Sequence, residues 1–250
     1  MSDLQSHLAD WQQDLQGKPA EVIVEWAITT FGYAITFATS LGAEDQVLTD
    51  MIAKASRKLG KTMPIFTLDT GRLFQESYQL LEDTQAKYGL DIQIMFPQRE
   101  AVETMVAKEG INLFRKSVEL RRKCCGIRKI EPLKRALQSK DAWMVGLRRD
   151  QSVTRTDLSV VEWDEGNGMV KVSPLHDWSH EQIWDYIKAQ NVPYNPLHDQ
   201  GFLSIGCASC TRAVKPGEDI RAGRWWWEEP EKKECGLHFK DGKLVRANQS

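Results

Sequence analysis

Tyr33-Ala34-Ile35-Thr36-Phe37-Ala38-Thr39-Ser40-Leu41-Gly42-Ala43-Glu44-Asp45 is the stretch that decides the fold. A short apolar run ends in hydroxyl residues and a glycine, and a helical pattern reaching about Leu59 follows directly. This is a buried strand turning into a helix, the unit from which parallel sheets are wound. At such a turn, backbone N–H groups and the positive end of the helix form a phosphate-binding place. Ser40 adds a hydroxyl, and Gly42 lets the backbone approach a ligand closely. A capped turn with no ligand uses the same residue types. The segment is neither a Walker A loop nor Gly-x-Gly-x-x-Gly, which closes those routes to an NTPase or a dehydrogenase.

Outward from it, further strands are predicted at 63–68, 92–96 and 142–147, with helices at about 72–88, 99–108 and 117–138. Helical spacing also fills 3–16 and 19–30. The alternation predicts an α/β fold with a doubly wound, mostly parallel sheet. The second strand ends in Leu68-Asp69-Thr70-Gly71-Arg72, and two such strand ends side by side make a nucleotide crevice. Residues 158–163 and 169–172, joined by Asp164-Glu165-Gly166-Asn167-Gly168, have the pattern of a hairpin. One more helix follows at about 179–190, and from Asn191 the chain is loop-rich. The expected organisation is N-terminal helices over 1–30, an α/β unit over 31–215 and a C-terminal segment over 216–250, forming one structural domain.

The 250 residues suffice for a single well-buried core, and 41% hydrophobic with 27% charged residues is ordinary for a globular protein. A formal net charge of −2 does not recruit nucleic acid or an anionic membrane. No apolar run approaches the roughly 20 residues that span a bilayer. Met1-Ser2-Asp3-Leu4-Gln5 lacks the basic and apolar regions of a signal peptide. The expectation is a cytoplasmic protein without nucleic-acid or membrane partners, whose cysteines bind metal or do chemistry.

There are five cysteines. Cys124 and Cys125 are adjacent, and Cys207 and Cys210 form a Cys-x-x-Cys, so four thiolates are available to one tetrahedral metal or one cluster. Structural zinc usually takes two Cys-x-x-Cys arms, whereas the separate corners of a [4Fe–4S] cube accept neighbouring cysteines; both readings stand. Lys123, Arg128 and Lys129 suit a net-negative centre, or are solvated helix charges. Cys235 is left over, with a lysine pair two residues before it and His238 three after, groups that favour its thiolate as a nucleophile. Arg221 and Arg224 offer planar guanidinium groups for phosphate or sulfate, just before Trp225-Trp226-Trp227, whose burial is assigned mainly to packing. Arg148 and Arg149 follow the fourth strand at another carboxyl edge suited to an anion, while His176, His180 and His198 are read as structural or surface residues.

Together, Ser40-Leu41-Gly42-Ala43-Glu44-Asp45, Leu68-Asp69-Thr70-Gly71, Cys124-Cys125-x-x-Arg128-Lys129, Gly146-Leu147-Arg148-Arg149-Asp150-Gln151-Ser152, Cys207-x-x-Cys210-Thr211, Gly223-Arg224-Trp225-Trp226-Trp227-Glu228 and Glu234-Cys235-Gly236-Leu237-His238 form an ordered set. The set resembles the assimilatory sulfonucleotide reductases, the APS/PAPS reductase family, from about residue 30 to 240. The cysteine pairs are similar to the adenosine 5′-phosphosulfate (APS) branch; the phosphoadenosine phosphosulfate (PAPS) branch lacks them.

The resemblance implies an ATP-pyrophosphatase/adenine nucleotide alpha hydrolase-like fold. It implies a [4Fe–4S] cluster on Cys124, Cys125, Cys207 and Cys210, with Lys129 beside it. Ser40, Leu68, Arg149, Arg221, Arg224 and His238 would contact APS, and Cys235 would be the nucleophile. Thioredoxin or glutaredoxin would be the reductant, sulfite and AMP the products, and a homotetramer the family expectation. Leu41 stands where the family commonly has an aromatic residue; backbone donors do not depend on that side chain, so little effect is expected. A tRNA-thiolating enzyme of related fold would carry Ser-Gly-Gly-x-Asp-Ser, which this loop does not. A non-catalytic nucleotide sensor would make Cys235 dispensable.

Overall fold

The run 33–38 becomes the central strand. The structure, a computed structural model, describes residues 3–149 and 158–229. Its sheet contains β1 (Ile35–Thr39), β2 (Ile65–Leu68), β3 (Ile92–Met95), β4 (Ala142–Met144), β5 (Val161–Asp164) and β6 (Met169–Val172). They lie in the order β3-β2-β1-β4-β6-β5. Every pairing is parallel except that of β5 with β6. Parallel strands are covered on both faces, which is why β1 is buried along nearly its whole length, Thr36 and Thr39 included.

Nine helices are defined among the described residues: α1 (Asp3–Ser6), α2 (Leu8–Leu15), α3 (Ala20–Phe31), α4 (Ala43–Leu59), α5 (Gln75–Tyr88), α6 (Arg99–Glu109), α7 (Val118–Cys125), α8 (Glu131–Leu137) and α9 (His180–Ala189). On one face of the sheet, Ile23 and Ile28 of α3, Val47 and Ile52 of α4, and Ile183 of α9 pack with Ile35 and Phe37. On the other, Leu133 and Leu137 of α8 pack with Phe66, Met95 and Trp143. Helices on both faces give the doubly wound architecture that the alternation predicted.

Three elements differ from expectation. The helix predicted from 72 begins at Gln75, because the backbone at Phe74 is extended. The single helix predicted over 117–138 is α7, a wide π turn at Gly126–Ile130, and α8. Within it the Glu131 N–H reaches the Gly126 carbonyl five residues back. Pro132 gives the reason: it has no N–H for the Arg128 carbonyl four residues before it, and its ring crowds that carbonyl, so the helix widens there. Finally, the hairpin does not stand alone; β6 adds to β4 in parallel and extends the sheet.

Phe37 is fully buried in the middle strand. Phe37→Ala should cost about 3–5 kcal/mol of folding stability, measured by urea denaturation.

Candidate functional site

From β1 the chain builds β2 and β3 outward on one side, then returns to place β4 on the other side of β1. The order reverses between β1 and β4, and in doubly wound sheets ligands bind outside the carboxyl ends at that point. A cleft of about 270 Å³ opens there, lined by Ser40 and Gly42–Asp45 after β1, Leu68 at the end of β2, and Gly146 and Leu147 after β4. Segment 203–207, Arg221 and Arg224 close it from the loop-rich side. No side chain caps the N-terminus of α4, whose dipole and first-turn residues Ala43 and Glu44 face this cleft.

The loop is held under strain. Leu41 has φ 61°, a left-handed conformation rare for a branched side chain. Burial of that side chain (3% exposed) and a hydrogen bond from its N–H to Thr39 Oγ1 (3.1 Å) keep it there. Asp45 Oδ2 accepts both the backbone N–H and the hydroxyl of Ser40, each at 2.6 Å. Burial pushes the Asp45 carboxyl up to about 6, against the hydrogen bonds from Ser40. Beside it, Arg148 is 1% exposed and gives Nε and Nη2 to Glu44 Oε1, at 3.0 and 2.8 Å.

A second, smaller cavity is lined by all four cysteines of the two pairs. Cys124 and Cys125 end α7; Cys207 precedes a single 3₁₀ turn and Cys210 is its last residue. None of the four is in a disulfide. Thr70 Oγ1 lies 3.2 Å from Cys207 Sγ. Arg128, carried inward by the π turn, gives Nη1 to the Thr70 carbonyl at 2.6 Å and a hydrogen bond to Cys124, while its buried Nε meets no acceptor. Burial raises the Cys124 thiol against the pull of Arg128 and Arg72. Cys210 is pushed up to about 11 by burial, with Cys207 adding to the shift. Trp225, at φ 41°, is pressed between the guanidinium groups of Arg121 (4.5 Å) and Arg224 (4.9 Å). Arg121 in turn forms a buried two-pronged pair with Glu228, at 3.0 and 2.9 Å.

These residues fit a thiolate-bound, net-negative centre: four free thiols, cationic walls and a buried guanidinium N–H with no acceptor. Among the described residues no three His, Cys, Asp or Glu side chains gather tightly enough for one metal ion. Lys129, Cys207 and Arg224 line both cavities, forming a shared wall.

A family model described as the phosphoadenosine phosphosulfate reductase domain matches residues 34–213, the sheet and both cysteine pairs. The chain belongs to the APS/PAPS reductase family. A protein of Allochromatium vinosum called adenosine 5′-phosphosulfate reductase is 53% identical over 208 residues, covering 83% of this chain and 80% of that protein. One of the same name from Burkholderia cepacia is 50% identical over 214 residues, covering 86% and 84%. The crystal structure of Candida auris PAPS reductase in complex with phosphate superposes with TM-score 0.71 at 29% identity, covering 86% of this chain and 99% of that one. Candida glabrata FMN adenylyltransferase shares the fold alone, with TM-score 0.56 at 18% identity over 92% of this chain and 76% of that one.

Of the residues that the family resemblance singled out, Ser40, Leu68, Arg221 and Arg224 line the cleft, and the four cysteines with Lys129 line the second cavity. Arg149 does not line the cleft: its side chain is exposed and donates from Nε to the Leu158 carbonyl at 3.0 Å. Cys235 and His238 lie outside the described residues. Arg148, read as a possible anion contact, is instead committed to Glu44 and to the Trp178 carbonyl. Of the tryptophan run only Trp225 is fully buried.

Sequence reading gave no site role of their own to Asp45, Gly146 and His198, which line the cleft, or to Arg72 and Arg121, which line the cysteine cavity. His198 lines the cleft wall with Nε2 buried and unpartnered, and burial lowers its pKa. Arg72 was available as a signal, since it directly follows the Leu68-Asp69-Thr70-Gly71 motif; Asp45 and His198 carried none beyond their neighbours.

Glu228→Ala would strip a buried arginine of its carboxylate and should cost about 3–5 kcal/mol in chemical denaturation. Asp45 makes a second test. Its folded pKa lies above the ordinary carboxyl value of 3.8, so the folded state binds more protons and loses stability as pH rises from about 4 to about 6. The stability of Asp45→Asn relative to wild type should rise by up to ~3 kcal/mol across that window and then level off, as followed by melting at each pH.

Proposed function

We propose that this chain reduces APS to sulfite and AMP with the dithiol of thioredoxin, or glutaredoxin, in assimilatory sulfate reduction in the cytoplasm. The observation that carries the reading is the shared wall: a nucleotide-sized cleft at the switch point meets a four-cysteine cavity through Lys129, Cys207 and Arg224. Its relatives' names, and the phosphate complex of the Candida auris enzyme, support the same assignment.

In this reading the phosphate of APS sits against the Ser40 loop and the N-terminus of α4, where N–H groups and the helix dipole favour negative charge. The nucleoside lies along the end of β2 at Leu68. Its sulfate points to the shared wall, where Arg221, Arg224 and Lys129 neutralise it, and His238 completes the contacts; Arg149 would join them only by leaving the Leu158 carbonyl. The Cys235 thiolate attacks the sulfate sulfur, the bond from sulfur to the bridging phosphate oxygen breaks, and AMP leaves with the electron pair. Cys235 then carries a sulfonate as S-sulfocysteine.

A thioredoxin thiolate attacks Cys235 Sγ and expels sulfite; its second thiol resolves the mixed disulfide and restores Cys235. Two electrons come from the dithiol, and none need pass through the four cysteines. A [4Fe–4S] cluster held by Cys124, Cys125, Cys207 and Cys210 would supply a fixed charge distribution beside the sulfate. In this division of labour, 31–215 holds the cleft and the cysteines. Segment 216–250 brings Cys235 to the sulfate and withdraws it for thioredoxin, in an enzyme assembled as a homotetramer.

Mass spectrometry of anaerobically purified protein incubated with APS, without thioredoxin, should find one sulfonate on Cys235 that thioredoxin releases as sulfite. PAPS in parallel should give little adduct. An iron-loaded protein that forms no adduct with either nucleotide would overturn the reading. Cys235→Ser should abolish sulfite formation and keep iron content and APS binding. Arg221→Ala and Arg224→Ala should each weaken APS binding by about 1–3 kcal/mol, read as a dissociation constant.

A further inference from the structure

The anion loop is shaped around an anion of its own. Asp45, the third residue of α4, takes the N–H and O–H of Ser40 on Oδ2 and a further hydrogen bond from the backbone N–H of Gly146. One carboxylate therefore ties together the ends of β1 and β4, the two strands that flank the switch point. The fit is close: a Cβ on Gly146 would overlap Asp45 Oδ1, so only glycine leaves room there. Asp45 is 7% exposed and still counts among the residues lining the cleft.

This arrangement conflicts with the binding of a second anion. A serine hydroxyl has one proton, and that of Ser40 is given to Asp45 rather than to the cleft. A carboxylate beneath the loop also repels a phosphate or sulfate above it. Both obstacles disappear if the carboxyl becomes neutral. Its own proton is then donated to Ser40 Oγ, Ser40 turns its hydroxyl proton toward the ligand, and the backbone bonds stay in place.

We propose that Asp45 is a positioning residue of the loop that takes up one proton from solvent as the substrate anion enters, reversing the Ser40 hydrogen bond toward the ligand. The inference rests on the reading that APS binds in this cleft.

The surroundings agree. Burial has already brought Asp45 up to about 6, within reach of protonation at neutral pH. Glu44, its neighbour on α4, adds to that shift and is itself held by Arg148. The other charged or titratable groups on the cleft are Lys129, Cys207, Arg221, Arg224 and His198. Burial disfavours protonation of His198.

The test uses the Cys235→Ser protein, so that APS binds without turnover. APS itself has no group titrating near neutrality, since its phosphate and sulfate are both strong acids. Calorimetry at pH 7 in buffers of differing ionisation enthalpy should report net proton uptake on binding. The dissociation constant should rise with pH above 6, by at most about tenfold per unit. Adding Asp45→Asn should abolish the uptake and flatten the profile. Adding Ser40→Ala removes a bond that favours the charged carboxylate, so Asp45 rests more protonated and the uptake should shrink.

APS binding without proton uptake would overturn this inference alone, whether or not the asparagine variant folds. An uptake unchanged in either double variant would do the same. No binding at any pH would overturn the functional reading and this inference with it.

Discussion

Pairing of β1 with β2 on one side and β4 on the other is the constraint on which the molecule depends. Because all three strands run the same way, their carboxyl ends arrive together at one edge of the sheet, and the loops that leave them diverge. The cleft is the space those loops leave. Two apolar cores, one on each face of β1, keep the strands from sliding past one another and so fix the width of the cleft.

Around that edge the protein spends stability on charge. Arg121, Arg128, Arg148 and Arg224 are all buried, and each is tied to a carboxylate, a backbone carbonyl or an aromatic face. Buried ion pairs stabilise little relative to apolar packing of the same volume. Three of them, Arg121, Arg128 and Arg224, line the cysteine cavity, and Arg224 lines the cleft as well, so guanidinium groups add positive field beside the thiols. Gly206 shows how tightly this field is built. The Arg224 guanidinium lies against its Cα, where any side chain would overlap it.

The strand, turn and helix at 33–59 were legible because an apolar run, a glycine and a 3.6-residue period follow in that order. The motifs also placed Ser40, Leu68 and the four cysteines at two adjoining cavities. The break at Gly126–Ile130 was not legible as a π turn, though Pro132 stood in plain view: a proline can end, kink or widen a helix depending on what receives the displaced carbonyl. Arg148 and Arg149 could not be told apart by sequence. Both follow the strand in a loop with no period to assign a side, and only tertiary packing shows that Arg148 turns in to Glu44. Asp45 was read only as part of its loop, because its particular importance comes from Gly146, about a hundred residues later and adjacent only in the fold.

The clamp on Trp225 sets the length of a leash. Pinned between two guanidinium groups, Trp225 is a fixed point of the chain, and Cys235 follows it by ten residues. Ten residues fully extended span about 35 Å at most. For the nucleophile proposed above, a tether of that length would set a local thiol concentration on the order of millimolar, far above that of a free thiol partner in dilute solution.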